Sequence, residues 1–230
     1  MTRAARKEQA GLSENVSAAI LELFPPLGEL EQRISLALYR LLARGEPVAR
    51  AALAAAAGAP LSEIDAALSD WYGVYRDGRD RVIGYWGLSL APTNHRMRID
   101  GRLLHTWCAW DTLFIPELLG ASARVESSCP VTRAPIALAV HRDGVETESG
   151  DPPYVSLLAP DPAKVRQDVV LNFCNYVHFF SSAQAAQAWT ARHPGTLAVT
   201  LREAWRLGRK RNATRYPGAL RLKPNKNQGA

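Results

Sequence analysis

Sulfur is scarce in this chain. It has three cysteines and two methionines in 230 residues. So small and odd a cysteine count excludes the disulfide framework of a small secreted domain and fits thiols kept reduced in a cytosol. No stretch approaches the ~18 consecutive apolar residues of a membrane-spanning helix. The segment Met1 to Gln9 leads into no apolar run of the kind a signal peptide carries. The expectation is a cytoplasmic protein with no membrane partner. A glycine-rich phosphate loop, a dinucleotide fingerprint, a nucleophile elbow and an HExxH pair are all missing. Serine hydrolysis therefore has no motif behind it, and no nucleotide or redox cofactor is expected. Internal repeats and coiled-coil heptads are also absent.

What is present is ordinary globular material, 47% hydrophobic and 22% charged. A chain of this length buries roughly 70–75% of its unfolded surface and needs no disulfide or metal staple. The net charge of +6 is unevenly placed: Arg206 to Lys226 holds eight Lys/Arg and no acid, leaving 20 basic against 22 acidic residues elsewhere. Such a tail can meet nucleic acid or an acidic partner. Its Pro, Gly and Asn content favours a solvated, flexible end over residues 208–230.

The pattern reads as α+β, with four parts. Residues 1–12 are expected to be disordered. Residues 13–84 read as a helical, winged-helix-like module: helices over Val16–Phe24, Leu30–Leu42, Val48–Ala57 and Leu61–Leu68 (with Ser62 as a cap), then a strand, a turn and a strand between Gly73 and Tyr85. Residues 85–207 read as small antiparallel sheets flanked by helices. The expected elements there are strands at Ile83–Leu90, Met97–Ile99, Ala123–Ser128, Ile136–Val140, Val155–Leu158 and Leu197–Thr200. Helices are expected at Leu103–Phe114, interrupted at Pro116, and at Ala183–Thr190 and Leu201–Leu207, with a helical start to Val165–Phe180. A DNA-reading module needs basic residues on its groove-facing helix. Leu61–Asp70 offers Glu63, Asp65 and Asp70 instead, which phosphates would repel. Nucleic acid is therefore not an expected partner.

Two cysteine segments carry the chemistry. Cys108 lies in Trp107-Cys108-Ala109-Trp110-Asp111-Thr112, and Cys174 in Phe173-Cys174-Asn175-Tyr176-Val177-His178-Phe179-Phe180. On a helix, Cys108 and Asp111 would share a face and converge on one ligand. Thiolates are the soft ligands that proteins offer to soft metals. An apolar setting of tryptophans raises a carboxyl pKa and makes Asp111 available as a proton carrier. Against this, a free cysteine usually packs as a small hydrophobe, the reading kept for Cys129. Zinc held by His105/Cys108 and Cys174/His178 is a weaker alternative, because these mixed pairs lack the usual zinc spacing.

The segment Arg102 to Pro116 and the segment Phe173 to Phe180, with Ser128-Cys129 and Ala134-Pro135-Ile136 between them, resemble the active-site segments of the organomercurial (alkylmercury) lyase family. The resemblance runs from about Leu30 to about Leu207. It implies cleavage of a carbon–mercury bond by protonolysis, releasing a hydrocarbon and leaving Hg(II) on two cysteine thiolates, in mercury detoxification. By position, Cys108 and Cys174 are the mercury-binding thiols, Asp111 is the proton-transferring acid beside the metal, and Cys129 is structural. No cofactor is implied beyond excess low-molecular-weight thiol for turnover, with Hg(II) as product. An organomercurial is the substrate, and a mercuric reductase would accept the metal. Three positions depart from the family pattern: Trp110 where a smaller apolar residue is usual, Arg133 where a turn glycine is common, and Asn175 where some members have a second cysteine. The alternative function is a metal-sensing, DNA-binding regulator that binds Hg(II) through the same cysteines.

Overall fold

A computed structural model of the chain describes residues 12–148 and 150–220; the expected disorder of 1–11 and the end of the basic tail, 221–230, lie outside the described residues. The chain opens with α1 (Glu14–Glu22), α2 (Glu29–Leu42), α3 (Arg50–Ala57) and α4 (Leu61–Asp70). Five strands follow: β1 (Val74–Arg76), β2 (Val82–Tyr85), β3 (Leu88–Ser89), β4 (His95–Ile99) and β5 (Arg102–Thr106). Helix α5 (Asp111–Leu119) leads to β6 (Ala123–Ser128), β7 (Pro135–Val140), β8 (Val145–Thr147) and β9 (Tyr154–Leu158). The short helices α6 (Pro162–Gln167) and α7 (Val169–Asn172) run into a single 3₁₀ turn, Cys174–Tyr176. Strand β10 (Phe179–Phe180), α8 (Ala183–Thr190), β11 (Thr196–Thr200) and α9 (Leu201–Arg215) complete the described fold. The class is α+β, as the patterning predicts.

The strands form an antiparallel eight-stranded sheet in the order β1-β2-β3-β5-β4-β6-β7-β8, and a three-stranded sheet in the order β10-β9-β11. Alternation explains the larger sheet: Ala123, Val125 and Ser127 of β6 and Ile136, Leu138 and Val140 of β7 all point inward. The boundary expected between residues 84 and 85 falls inside this sheet, where β2 pairs with β3. The helical module and the remainder thus share one sheet and one buried apolar cluster.

Four local expectations are corrected. Residues Leu103–Thr106 are strand, not helix. Asp100 and Gly101 both have positive φ, 48° and 77°, making the tight turn that pairs β4 with β5. Pro116 lies inside α5 instead of interrupting it. Ser62 sits within α4, whose N-cap is Pro60, with no side-chain cap bond. The last helix continues through Arg215, so the flexible tail expected from residue 208 does not start there. Instead Arg211, Asn212, Arg215 and Tyr216 are buried. Gly208 makes this docking possible, because a Cβ there would lie 2.9 Å from Cβ of Phe114 on α5.

Ser35 of α2 ties the helical part to the rest. Its fully buried hydroxyl bonds both the Tyr85 hydroxyl (2.8 Å) and the Tyr216 hydroxyl (2.7 Å). Ser35→Ala leaves two buried phenols without this partner and should cost about 2 kcal/mol, measured by urea unfolding. An unchanged midpoint would show that the clamp contributes nothing.

Candidate active site

The two cysteine segments meet through the backbone. Strand β5 ends by donating the Trp107 N–H to the Gly87 carbonyl (2.8 Å), and two residues on Ala109 N–H donates to the Val177 carbonyl (3.2 Å). These bonds fix the turn 107–110 against the segment that carries Cys174. Helix α5 then begins at Asp111, whose Oδ2 accepts the Cys108 N–H at 2.9 Å. Cys108 and Asp111 therefore converge across a tight turn and not along a helix face, as the sequence pattern suggested. The Cys174 turn is held from the other side by Ser156. Its Oγ donates to the Tyr176 carbonyl (2.7 Å) and accepts the His178 N–H (2.9 Å).

The ligand atoms of Cys108, Asp111 and Cys174 all lie within 4.8 Å of one another, and all three side chains are buried. Among the described residues no other group of three or more His, Cys, Asp or Glu side chains could hold a metal ion. The alternative zinc pairs do not assemble. His105 Nδ1 accepts the Thr93 N–H, and His178 Nε2 pairs with the Asn175 carbonyl. Cys129 lies apart, in the tight turn between β6 and β7, where its Sγ accepts the Thr132 N–H.

Burial sets the proton affinities. It pushes the Cys108 thiol well up, helped by the hydrogen bond to Cys174 and by the neighbouring Asp111 charge. Cys174 is also pushed up by burial, and the hydrogen bond from Cys108 opposes that shift. Burial raises the Asp111 carboxyl to about 6, against hydrogen bonds from Cys108 and the positive charge of Arg211 that hold it down. Such a carboxyl is a base at neutral pH and still a competent acid. For Cys129, burial raises the thiol, but hydrogen bonds from Thr132, Ser181 and Val131 outweigh it and bring it down to about 7.

A family model described as alkylmercury lyase matches residues 88–212, slightly more than half of the chain, with Cys108, Asp111 and Cys174 all inside the match. The chain belongs to the alkylmercury lyase family. It is 40% identical over 173 residues to the alkylmercury lyase of Staphylococcus epidermidis, spanning 75% of this chain and 78% of that one. It is 41% identical over 171 residues to the alkylmercury lyase of Pseudomonas putida, spanning 74% and 79%. In fold it is similar to the crystal structure of the mercury-bound form of MerB2, with a TM-score of 0.70 and 23% identity over 86% of this chain and 97% of that one. The protein is thus an enzyme of the lyase class, and no single helix among its described residues is long and apolar enough to cross a membrane.

Residue-type reasoning passed over one part of this lyase's site, Gly87. Its φ is +103°, and a Cβ placed on it would lie 2.5 Å from the Asp111 carboxyl carbon and from Oδ1. Only glycine suits this backbone conformation and this approach together. The sequence did hold a hint, Trp86-Gly87 breaking the strand expected over Ile83–Leu90. Of the three departures, Arg133 adopts the left-handed backbone that a turn glycine would, at φ +63°. Trp110 is buried and donates to the Ala204 carbonyl on α9 (2.9 Å). The Asn175 side chain is exposed.

Gly87→Ala should therefore displace Asp111 and reduce turnover at least a hundredfold (about 3 kcal/mol in the barrier); a folded variant with native rates would remove Gly87 from the site. A second prediction concerns Asp111. Its folded pKa of about 6 exceeds the ordinary 3.8, so its contribution to stability is fully present below pH ~4 and is lost as pH rises through ~6. The stability of Asp111→Asn relative to the native chain should accordingly rise by about 3 kcal/mol between pH 4 and pH 8. A flat difference in denaturant unfolding would place Asp111 in a solvated setting.

Proposed function

We propose that this lyase cleaves the carbon–mercury bond of organomercurials by protonolysis, with Cys108 and Cys174 as mercury ligands and Asp111 as the proton carrier. The observation that carries the reading is the buried, mutually adjacent trio of two thiols and a carboxyl titrating near 6.

The hydrogen bonds of the trio suggest an order of steps, because the Asp111 carboxyl is bonded to Cys108. Cys174 attacks the mercury of R–Hg–X as a thiolate, and its proton leaves with X as HX. Mercury bound to one thiolate lowers the pKa of a second sulfur brought against it. The Asp111 carboxylate takes the Cys108 proton, and the freed Cys108 thiolate joins the metal. Two thiolates push electron density onto the bound carbon. Asp111 then gives its proton to that carbon, the Hg–C bond breaks, and R–H departs. Hg(II) stays on the two sulfurs as product, and Asp111 is again a carboxylate. Small thiols, or a mercuric reductase, would take the metal from this dithiolate. The demand for free thiol agrees with a cytoplasmic setting.

Incubation with phenylmercuric acetate and excess thiol should release benzene over many turnovers, and Cys108→Ala or Cys174→Ala should release none. Near-native rates in either variant would sink the two-thiolate mechanism. Asp111→Ala should bind the mercurial but lose at least a thousandfold in release, the scale of a removed proton donor. The rate with native enzyme should fall as pH drops below about 6, because protonated Asp111 cannot accept the Cys108 proton. A profile flat from pH 5 to 8 would assign the acceptor elsewhere.

A further inference from the structure

Cys108, Asp111 and Cys174 are only 0%, 5% and 3% exposed, so a substrate bearing an organic group must pass a wall to reach them. On the Cys108 side that wall is thick. It consists of α5 and α9 with Trp110 and Phe114 fully packed between them. On the Cys174 side it is built from short elements. The segment that leads into the Cys174 turn is two short helices, α6 of six residues and α7 of four, with Leu171 59% exposed. Side-chain contacts hold this strap to residues 72–75. The Arg166 guanidinium lies 5.1 Å over the Tyr72 ring, and the Tyr75 hydroxyl donates to Asp168 Oδ1 at 2.7 Å.

Tyr75 occupies the rim. It is partly exposed, and its ring meets that of Trp107, the neighbour of Cys108, edge-on at 5.0 Å. Asp168 Oδ1 serves twice, because it also accepts the Leu171 N–H (2.9 Å) and so caps α7. One carboxyl oxygen therefore fastens the strap to itself and to β1.

We propose that Tyr75 controls access to the site: with Asp168 it latches α6 and α7 over Cys174, and the organomercurial reaches the thiols when this hydrogen bond opens. The substrate named here rests on the function proposed above; the latch does not. The hydrogen bond itself lies at the surface, since Tyr75 and Asp168 both border solvent, and breaking it leaves Val165 and Val169 of the strap in the core.

The test uses the native full chain and labels its thiols with iodoacetamide, reading each cysteine separately by peptide mass. Tyr75→Phe keeps the ring on Trp107 but removes the bond to Asp168. Loss of one such bond should raise the labelling rate of Cys174 about five- to tenfold, with Cys129 as an internal reference that does not change. Asp168→Asn keeps an acceptor oxygen and should label like the native protein. Equal Cys174 labelling in Tyr75→Phe would overturn the latch. A parallel rise at Cys174 and Cys129 would also overturn it, because general loosening and not the strap would then admit the reagent. If Cys174 labelling accelerates but phenylmercury yields no benzene, the latch stands and the lyase mechanism falls. If benzene is released and labelling stays flat, the latch alone falls.

Discussion

A carboxyl group set beside two thiols, away from water, is the constraint around which this structure is arranged. Removing a carboxylate from solvent is expensive unless its oxygens find donors. Here Oδ2 has the Cys108 N–H, and the turn 107–110 is fixed so that this amide points at it. Gly87 lets the backbone close over the other oxygen. The residual cost appears as a carboxyl pKa near 6, and that value suits the proton carrier proposed for this site. Burial thus supplies reactivity and costs stability at once.

A second burial stands behind the first. Arg211 and Arg215 lie one turn apart on α9, both almost wholly enclosed, and among the described residues no carboxylate forms a salt bridge with either. Aromatic faces take the place of counterions: Phe114 and Phe24 lie 4.3 and 4.6 Å from the Arg211 guanidinium, and Trp86 lies 5.6 Å from that of Arg215. Three guanidinium nitrogens keep no hydrogen-bond partner. The Arg211 charge favours the ionised form of Asp111. Gly208 and Trp110 bring α9 and α5 close enough for this, so the last helix belongs to the site's electrostatics as well as to the core.

Much of this was legible in the sequence. Strands with clean alternation and turn residues, such as Ala123–Ser128 with β7, could be read directly, as could the helix Ala183–Thr190 behind its Ser182 cap. The site trio was legible because Trp-Cys-Ala-Trp-Asp-Thr and Phe-Cys-Asn-Tyr-Val-His-Phe-Phe are distinctive, although spacing alone gave the wrong reason for their convergence. Leu103 to Phe114 is apolar enough to suit either period, and the Asp100-Gly101 turn that decides for a strand is a two-residue signal. The reach of α9 was misread because clustered Lys and Arg look solvated in one dimension. Their burial against Phe24, Phe114 and Tyr216 depends on residues up to nearly 190 positions away. Gly87 and Ser156 act by where they sit and not by what they can do, and no residue-type rule selects them.

The central claim is that both thiols end on one mercury after the carbon has left. X-ray absorption at the mercury edge, taken on native enzyme after a single turnover with one equivalent of phenylmercury, tests it most directly. A two-thiolate product requires mercury with two sulfur ligands and no bound carbon. One sulfur ligand with the phenyl carbon still attached would contradict it and leave the protein a binder of organomercurials.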